Sequence, residues 1–150
     1  MNPLHELQTA LGDRKAEAER IMRKYPDRVP VVCLKAKGSD LPNMTKNKFL
    51  VPDNMLIGEF KYIVYKHLRL DAQFHPDQTI YLFSGTSALR TGTLMSEAHE
   101  RHRDEDDFLY ITYAAENTLG ATAVASRVSH ISGPPFMPVT NLADGRPSAS

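Results

Sequence analysis

The sequence has little cysteine and no excess of charge of either sign. Its single cysteine, Cys33, has no second thiol in the chain with which to form a disulfide. Lys plus Arg and Asp plus Glu each number 18, so no net positive field draws the whole chain onto nucleic acid. No stretch approaches the roughly 18–20 consecutive apolar residues that cross a bilayer, and residues 1–11 lack the features of a secretory signal. We therefore expect a cytoplasmic protein that binds no nucleic acid and needs an added anchor to stay on a membrane.

Motifs of the common enzyme classes are also missing. Residues 84–87 lack both the glycine spacing and the lysine of a phosphate-binding loop. His99 and His102 stand beside acidic residues, a pattern more typical of a solvated helix end than of a metal site. Cys33 lies in an apolar run without a neighbouring base, which predicts a packed core cysteine. We expect no catalytic residue, no metal site and no cofactor.

Length and composition favour one folded domain. The chain has 150 residues, of which 41% are apolar and 24% charged, close to the average for globular proteins. Leucines at helical spacing in residues 4–11 predict a short first helix that ends at Gly12. Residues 14–24 predict a second amphipathic helix, which Pro26 stops.

The rest of the domain alternates between strand and helix patterns. Residues 29–36 and 48–51 are rich in β-branched and apolar side chains and predict two strands that could pair as a hairpin. Residues 57–68 show the clearest helical spacing of apolar side chains. Residues 78–83 and 108–113 predict two further strands, separated by a short helix at 93–99 and an acidic turn at 104–107. This order favours an α+β fold with the main helix across one face of a sheet.

The composition changes after Gly120. Four of the ten prolines lie in residues 121–150, together with many Ser and Ala and no sustained periodicity. A segment of this kind buries too little apolar surface to offset the entropy lost on ordering it. We therefore predict a folded domain in residues 1–120 and a disordered tail in residues 121–150.

Four segments of the chain are similar to a known family. They read KYPDRVPV at 24–31, KFLVP at 48–52, GEF at 58–60 and FLYI at 108–111. Together they closely resemble the GABARAP-like modifiers, also called the autophagy-related protein 8 family, from about residue 13 to residue 120. The resemblance implies a ubiquitin-like β-grasp fold with two extra N-terminal helices. It also implies a modifier that acts in autophagy and is not itself an enzyme.

The resemblance implies a life cycle that centres on Gly120. An autophagy cysteine protease would cut after Gly120 and remove the tail. An activating enzyme and a conjugating enzyme would then join the glycine carboxylate to phosphatidylethanolamine on the autophagosomal membrane. Glycine suits this position because it has no side chain to obstruct a narrow enzyme channel. Without the resemblance, a turn at the end of the domain would be the better interpretation of Gly120.

The resemblance further implies a groove for autophagy receptors that carry an aromatic-x-x-aliphatic motif. Such a peptide would add a strand along residues 48–51, and two pockets would give specificity. The aromatic pocket is assigned to Glu17, Ile21, Pro30, Lys48, Leu50 and Phe108. The aliphatic pocket is assigned to Phe49, Val51, Pro52, Met55, Phe60 and Ile63. Lys46 and His67 are placed beside the groove, Lys46 to meet acidic residues that flank the motif and His67 where the family has an arginine.

Two further classes of function are compatible with the residues. Most of the pocket residues are equally consistent with ordinary core packing. A ubiquitin-fold binding module would keep the groove but never be conjugated, and its tail would be a permanent linker. A cytosolic enzyme that uses Cys33 or the pair His99 and His102 is a third class, although neither has an accompanying base. Leu119 stands where the family has an aromatic residue before the glycine.

Overall fold

The computed structural model describes residues 3–75, 77–115 and 136–138. Within them, the helices are α1 (Pro3–Lys24), α2 (Ile57–Leu68) and α3 (Met95–His102). The strands are β1 (Arg28–Lys35), β2 (Lys48–Pro52), β3 (Tyr81–Ser84), β4 (Ser87–Ala88), β5 (Leu109–Ala114) and β6 (Met137–Pro138). No helix of this part of the chain is long and apolar enough to cross a membrane.

The strands form one mixed sheet with β1 near its centre. The strand order is β4-β3-β5-β1-β2-β6. Strand β1 pairs antiparallel with β2, where Val31 lies opposite Phe49, and parallel with β5, where Val31 lies opposite Leu109. Because both faces of β1 are covered, its residues 29–33 are all buried, which explains why this strand is apolar on both alternations.

The two faces of the sheet carry apolar clusters of different size. The larger cluster lies between the sheet and α2, whose buried residues are Ile57, Phe60, Ile63, Val64 and Leu68. The smaller cluster lies on the α1 side and is formed by the buried residues Ala18, Val32 and Phe108. Full burial of one large apolar side chain contributes roughly 1.5–3 kcal/mol. The α2 face therefore supplies most of the hydrophobic stabilisation, and the predicted α+β architecture is confirmed.

Helix α2 begins against the loop that precedes α3. The N–H of Leu56 donates to Oε1 of Glu59 at 3.0 Å, and the N–H of Gly58 donates to the carbonyl oxygen of Thr91 at 2.9 Å. These bonds satisfy donors that a helix start otherwise leaves unpaired. A Cβ on Gly58 would lie 3.2 Å from the same oxygen of Thr91. The close approach explains the glycine at this position.

The two predicted N-terminal helices are one continuous helix in the structure. Glycine inside a helix costs only about 1 kcal/mol relative to alanine, so Gly12 weakens α1 without ending it. The helix is also held from outside, because Nε of Arg14 lies 3.0 Å from Oδ2 of Asp106. The contact between Arg14 and Asp106 thus outweighs the tendency of Gly12 to end the helix.

Three residues of the predicted disordered tail, 136–138, lie beside the sheet. Strand β6 pairs parallel with β2 and places Met137 opposite Phe49 and Pro138 opposite Leu50. Pairing is favourable here because an edge strand otherwise leaves its N–H and C=O groups without partners in the sheet. The remainder of the predicted tail, and Gly120 with it, lies outside the described residues.

Candidate functional site

Along the edge of β2 that faces away from β1, a row of backbone N–H and C=O groups points outward. The N–H of Cys33 donates to the carbonyl oxygen of Asn47 at 2.7 Å, so these residues form a hydrogen-bonded pair. Such pairs alternate along antiparallel strands, which leaves the N–H and C=O groups of Lys48 and Leu50 pointing outward. Nη1 of Arg28 donates to the carbonyl oxygen of Leu50 at 3.1 Å. This outer edge is suited to the addition of an extended segment.

The side chains of β2 alternate between the two faces of the sheet. Phe49 and Val51 lie in the large cluster beneath α2. Lys48 and Leu50 therefore point to the α1 side, because successive side chains of a strand lie on opposite faces. The side chains of a segment that pairs with β2 can therefore contact both faces of the sheet.

An aromatic ring occupies a subsite on the α1 side of this edge. We define the aromatic subsite as Ile21, Val32, Lys48 and Phe108. The ring of Phe136 packs there, with its centroid 5.1 Å from that of Phe108 and the two planes inclined by 33°. Nζ of Lys48 lies 5.6 Å from the centroid of Phe136. Both distances are within the range of favourable aromatic and cation–π contacts.

A buried carboxylate positions the walls of the aromatic subsite. Asp106 is fully buried, and its Oδ2 accepts hydrogen bonds from Nε of Arg14 and the hydroxyl of Tyr110. Its Oδ1 accepts the N–H of Phe108 at 3.0 Å. Burial and the hydrogen bond to Asp106 raise the pKa of the Tyr110 hydroxyl. A buried charge needs such partners, and together they join α1 to the start of β5.

The role of Asp106 was not predicted from the sequence, where residues 104–107 indicate only an acidic turn. A signal was available, because an Asp side chain commonly accepts the N–H of the residue two positions further on. Asp106 and Phe108 have this spacing. The contact with Arg14, 92 residues away along the chain, has no local signal.

The structure brings most residues assigned to the aromatic pocket together. Ile21 and Phe108 belong to the small cluster, and Lys48 contacts the ring that lies in it. Pro30 is buried opposite Leu50. Glu17 is partly exposed on α1, one turn before Ile21.

Most of the residues assigned to the aliphatic pocket lie on the opposite face of the sheet. Five of them are at most 4% exposed and form part of the large cluster, namely Phe49, Val51, Met55, Phe60 and Ile63. Pro52, at the end of β2, is partly exposed. This set therefore forms the core wall beneath the edge, and its role in binding stays a prediction.

His67 packs under β2 as an aromatic side chain. Its ring centroid lies 5.3 Å from that of Phe49, with the planes inclined by 71°. Burial lowers the pKa of the His67 imidazole, and the positive charge of Lys46 lowers it further. At neutral pH the imidazole is therefore uncharged, unlike the arginine expected from the family. Lys46 itself is exposed.

The residues considered for catalysis have structural contacts. Cys33 is buried, as the sequence predicted, and burial raises the pKa of its thiol, which disfavours the thiolate. Nε2 of His99 donates to the carbonyl oxygen of Asp107 at 2.8 Å. Among residues 3–75, 77–115 and 136–138, no group of three or more His, Cys, Asp or Glu side chains could hold a metal ion.

The sequence matches a family of known proteins. The family described as "Autophagy protein Atg8 ubiquitin like" matches residues 13–120. Autophagy-related protein 8 of Mycosarcoma maydis is 47% identical over 107 residues, which cover 71% of this chain and 87% of that protein. Autophagy-related protein 8e of Arabidopsis thaliana is 47% identical over 111 residues, which cover 74% of this chain and 88% of that protein.

Solved structures agree with the sequence matches. The crystal structure of Trypanosoma brucei ATG8 superposes with a TM-score of 0.64 at 29% identity, covering 73% of this chain and 91% of that one. Plasmodium falciparum Atg8, solved in complex with a peptide of Plasmodium falciparum Atg3, superposes with a TM-score of 0.66 at 41% identity. The match covers 79% of this chain and 100% of the Plasmodium chain.

Proposed function

Since this chain belongs to the Atg8 family of ubiquitin-like autophagy proteins, we propose that it is a modifier that is cut after Gly120, conjugated to phosphatidylethanolamine and used to recruit partners along β2. The observation that best supports recruitment is the position of residues 136–138. They lie parallel to the edge of β2, with an aromatic ring in the aromatic subsite. A partner peptide with the same chemistry would make the same contacts.

The proposed partners carry an aromatic residue and, three positions on, an aliphatic residue. Backbone pairing with β2 supplies affinity, while the aromatic subsite selects the ring. The second anchor would lie further along the edge, near Pro52, which is partly exposed at the end of β2. Lys46 and Lys48 favour acidic residues beside the motif and speed their approach.

Two classes of protein fit this chemistry. Autophagy receptors and adaptors with the motif form the first class. Conjugating enzymes form the second, because the Plasmodium falciparum relative is complexed with a peptide of its Atg3. The activating enzyme and the cysteine protease would act on the C-terminal glycine instead of the groove.

The proposed membrane attachment is covalent. Hydrolysis after Gly120 leaves a glycine carboxylate, which the activating enzyme would adenylate with ATP, releasing pyrophosphate, and then convert to a thioester, releasing AMP. The conjugating enzyme would pass the glycyl group from its own thioester to the amine of phosphatidylethanolamine, and its thiol would be the leaving group. Acyl chains contribute roughly 0.8 kcal/mol per buried CH₂, and two chains anchor far more stably than one. The protein would thus be cytoplasmic before conjugation and bound to the autophagosomal membrane afterwards.

The substitution Gly120→Ala tests the modifier function. A methyl group at this position should block cleavage and membrane association, while the free energy of unfolding changes by no more than roughly 0.5 kcal/mol. Precursor and product are separated on a gel, membranes are fractionated, and each variant is melted. Gly145→Ala, a glycine substitution within the tail, serves as the matched control and should be cut normally. Normal cutting and membrane binding of Gly120→Ala would refute the proposal.

One observation favours a second candidate, a binding module that is never conjugated. Because β6 pairs with β2, the tail contributes to the sheet and could be kept as part of the folded protein. The intact mass of the protein from its own cells separates the two functions. The modifier loses residues 121–150 and gains a lipid, whereas the module keeps the mass of the whole chain.

A further inference from the structure

The edge of β2 is already occupied by the chain itself. We propose that the segment around Phe136 is an internal ligand, which closes the groove of the uncut chain to partner peptides. This inference rests on the proposed peptide-binding function and adds its regulation. The occupant is residues 136–138, and the site is the aromatic subsite together with the outer edge of β2.

The internal segment has the chemistry of the proposed partners. Its sequence from residue 136 is Phe-Met-Pro-Val, so Val139 follows Phe136 at the aromatic-x-x-aliphatic spacing. Pro138 restricts the residue before it to extended backbone, which is the conformation that β6 requires. Proline is also tolerated on an edge strand, where one side of the backbone needs no partner.

Occupation by the internal segment and by a partner is mutually exclusive. The ring of Phe136 lies against Phe108 and Lys48, in the space that the ring of a partner would need. Its backbone neighbours Met137 and Pro138 lie opposite Phe49 and Leu50, along the edge that a partner strand would use. Two chains cannot pair with the same edge at once, so a partner must displace the internal segment.

The connection to the domain allows this contact within one molecule. Strand β5 ends at Ala114, and fully extended residues 116–135 would span roughly 66 Å. A small domain is only about 30 Å across, so the groove is within reach. Tethered ligands commonly act at effective concentrations near the millimolar range. A free peptide must compete with this tethered segment, so its apparent affinity for the groove is lower.

Cleavage would then have two consequences. Removal of residues 121–150 leaves the carboxylate of Gly120 and, in the same step, takes Phe136 away from the groove. The uncut chain would bind receptors weakly, and the cut chain would bind them at full affinity. Recruitment would be coupled to processing without any change in the domain itself.

Peptide binding to the full-length chain tests the inference. The first probe is a fluorescent synthetic peptide with the sequence of residues 132–140, and the second is an acidic peptide that contains Trp-x-x-Leu. Anisotropy titrations compare the unmodified chain with Phe136→Ala, and His130→Ala is the control within the tail. We expect both probes to bind Phe136→Ala roughly tenfold or more tightly than the other two proteins.

The outcomes separate this inference from the proposed function. Equal, measurable affinity of the Trp-x-x-Leu probe for all three proteins would overturn the internal ligand and leave peptide binding intact. Absence of binding by both probes to every variant would overturn peptide binding and the inference with it. Thermal melts of the three proteins establish that each is folded.

A fluorescence measurement tests the contact directly. The chain has no tryptophan, so Phe136→Trp introduces a single reporter into the full-length protein. A docked indole should emit at shorter wavelength than an indole in water, and an excess of the unlabelled 132–140 peptide should shift the emission to longer wavelength. The proposal would be contradicted if the emission were typical of exposed tryptophan and did not change when the peptide was added.

Discussion

The two faces of the sheet are packed in different ways. The α2 face is covered by an uninterrupted apolar cluster in which Phe49 and Phe60 stack edge to face with centroids 5.5 Å apart. The α1 face combines a small apolar cluster with the buried Asp106 and the ammonium group of Lys48. The first face is a permanent core. The second is a surface on which a ring can be exchanged, because the ring that lies there is only partly buried.

The largest expected effect comes from removing a ring on the α2 face. Phe60→Ala should lower the free energy of unfolding by about 3–5 kcal/mol, since it leaves a cavity in a fully buried site. Denaturant unfolding measures the change. Tyr62→Ala, on the same helix but 42% exposed, is the control and should change stability by no more than about 0.5 kcal/mol.

The next largest effect concerns the carboxylate that positions α1. Asp106→Ala removes the acceptor for the N–H of Phe108 and for two side chains, which should cost about 2–3 kcal/mol. Hydrogen exchange should speed up in α1 more than in α2. Glu105→Ala, in the same turn but exposed, should leave both helices unchanged. Uniform loss of protection in both helices would contradict a local role for Asp106.

The α1-face counterpart of Phe60→Ala is Phe136→Ala. Its ring is only partly buried, so we expect a loss of about 1.5–2 kcal/mol, in the range of single aromatic and cation–π contacts. The same denaturant experiment measures it. A loss as large as that of Phe60→Ala would mean that Phe136 belongs to the permanent core and cannot act as an exchangeable ligand.

The smallest effect on stability is expected from His67 at acid pH. Burial and Lys46 lower the pKa of this imidazole in the folded state, so below its ordinary value of 6.5 the unfolded chain binds the proton more readily. Stability should therefore fall as the pH drops from about 7 to about 5. His67→Phe should reduce that fall, whereas substitution of the exposed His75 should not. Melting temperatures across this pH range provide the measurement.

Much of the fold follows from local pattern. The apolar spacing of residues 57–68 predicted a helix where α2 lies, although Asp53 or Asn54 was expected as its cap and the structure has Leu56 in that position. The runs at 29–36 and 48–51 predicted β1 and β2. Their antiparallel pairing was also expected. The strand predicted from residue 78 begins later, at Tyr81, because strand ends depend on the neighbour with which they pair.

The features that the sequence did not predict depend on distant residues. Gly12 indicates a break when α1 is considered alone, yet the helix continues past it to Arg14, which is bound to Asp106. Phe136 lies in a segment that has too few apolar residues to fold by itself, but its ring contacts Phe108 and Lys48. Local composition contains no information about either partner.

The sequence by itself determined the family, through the motifs that resemble it, and the class of fold, because hydrophobic periodicity indicates which segments form helices and strands. Only the tertiary structure decided that Asp106 joins α1 to β5 and that residues 136–138 pair with β2. The physical reason is that hydrogen bonding and ring packing act over a few ångströms in space, at any separation along the chain. Which distant groups meet is therefore settled only when the sheet has formed.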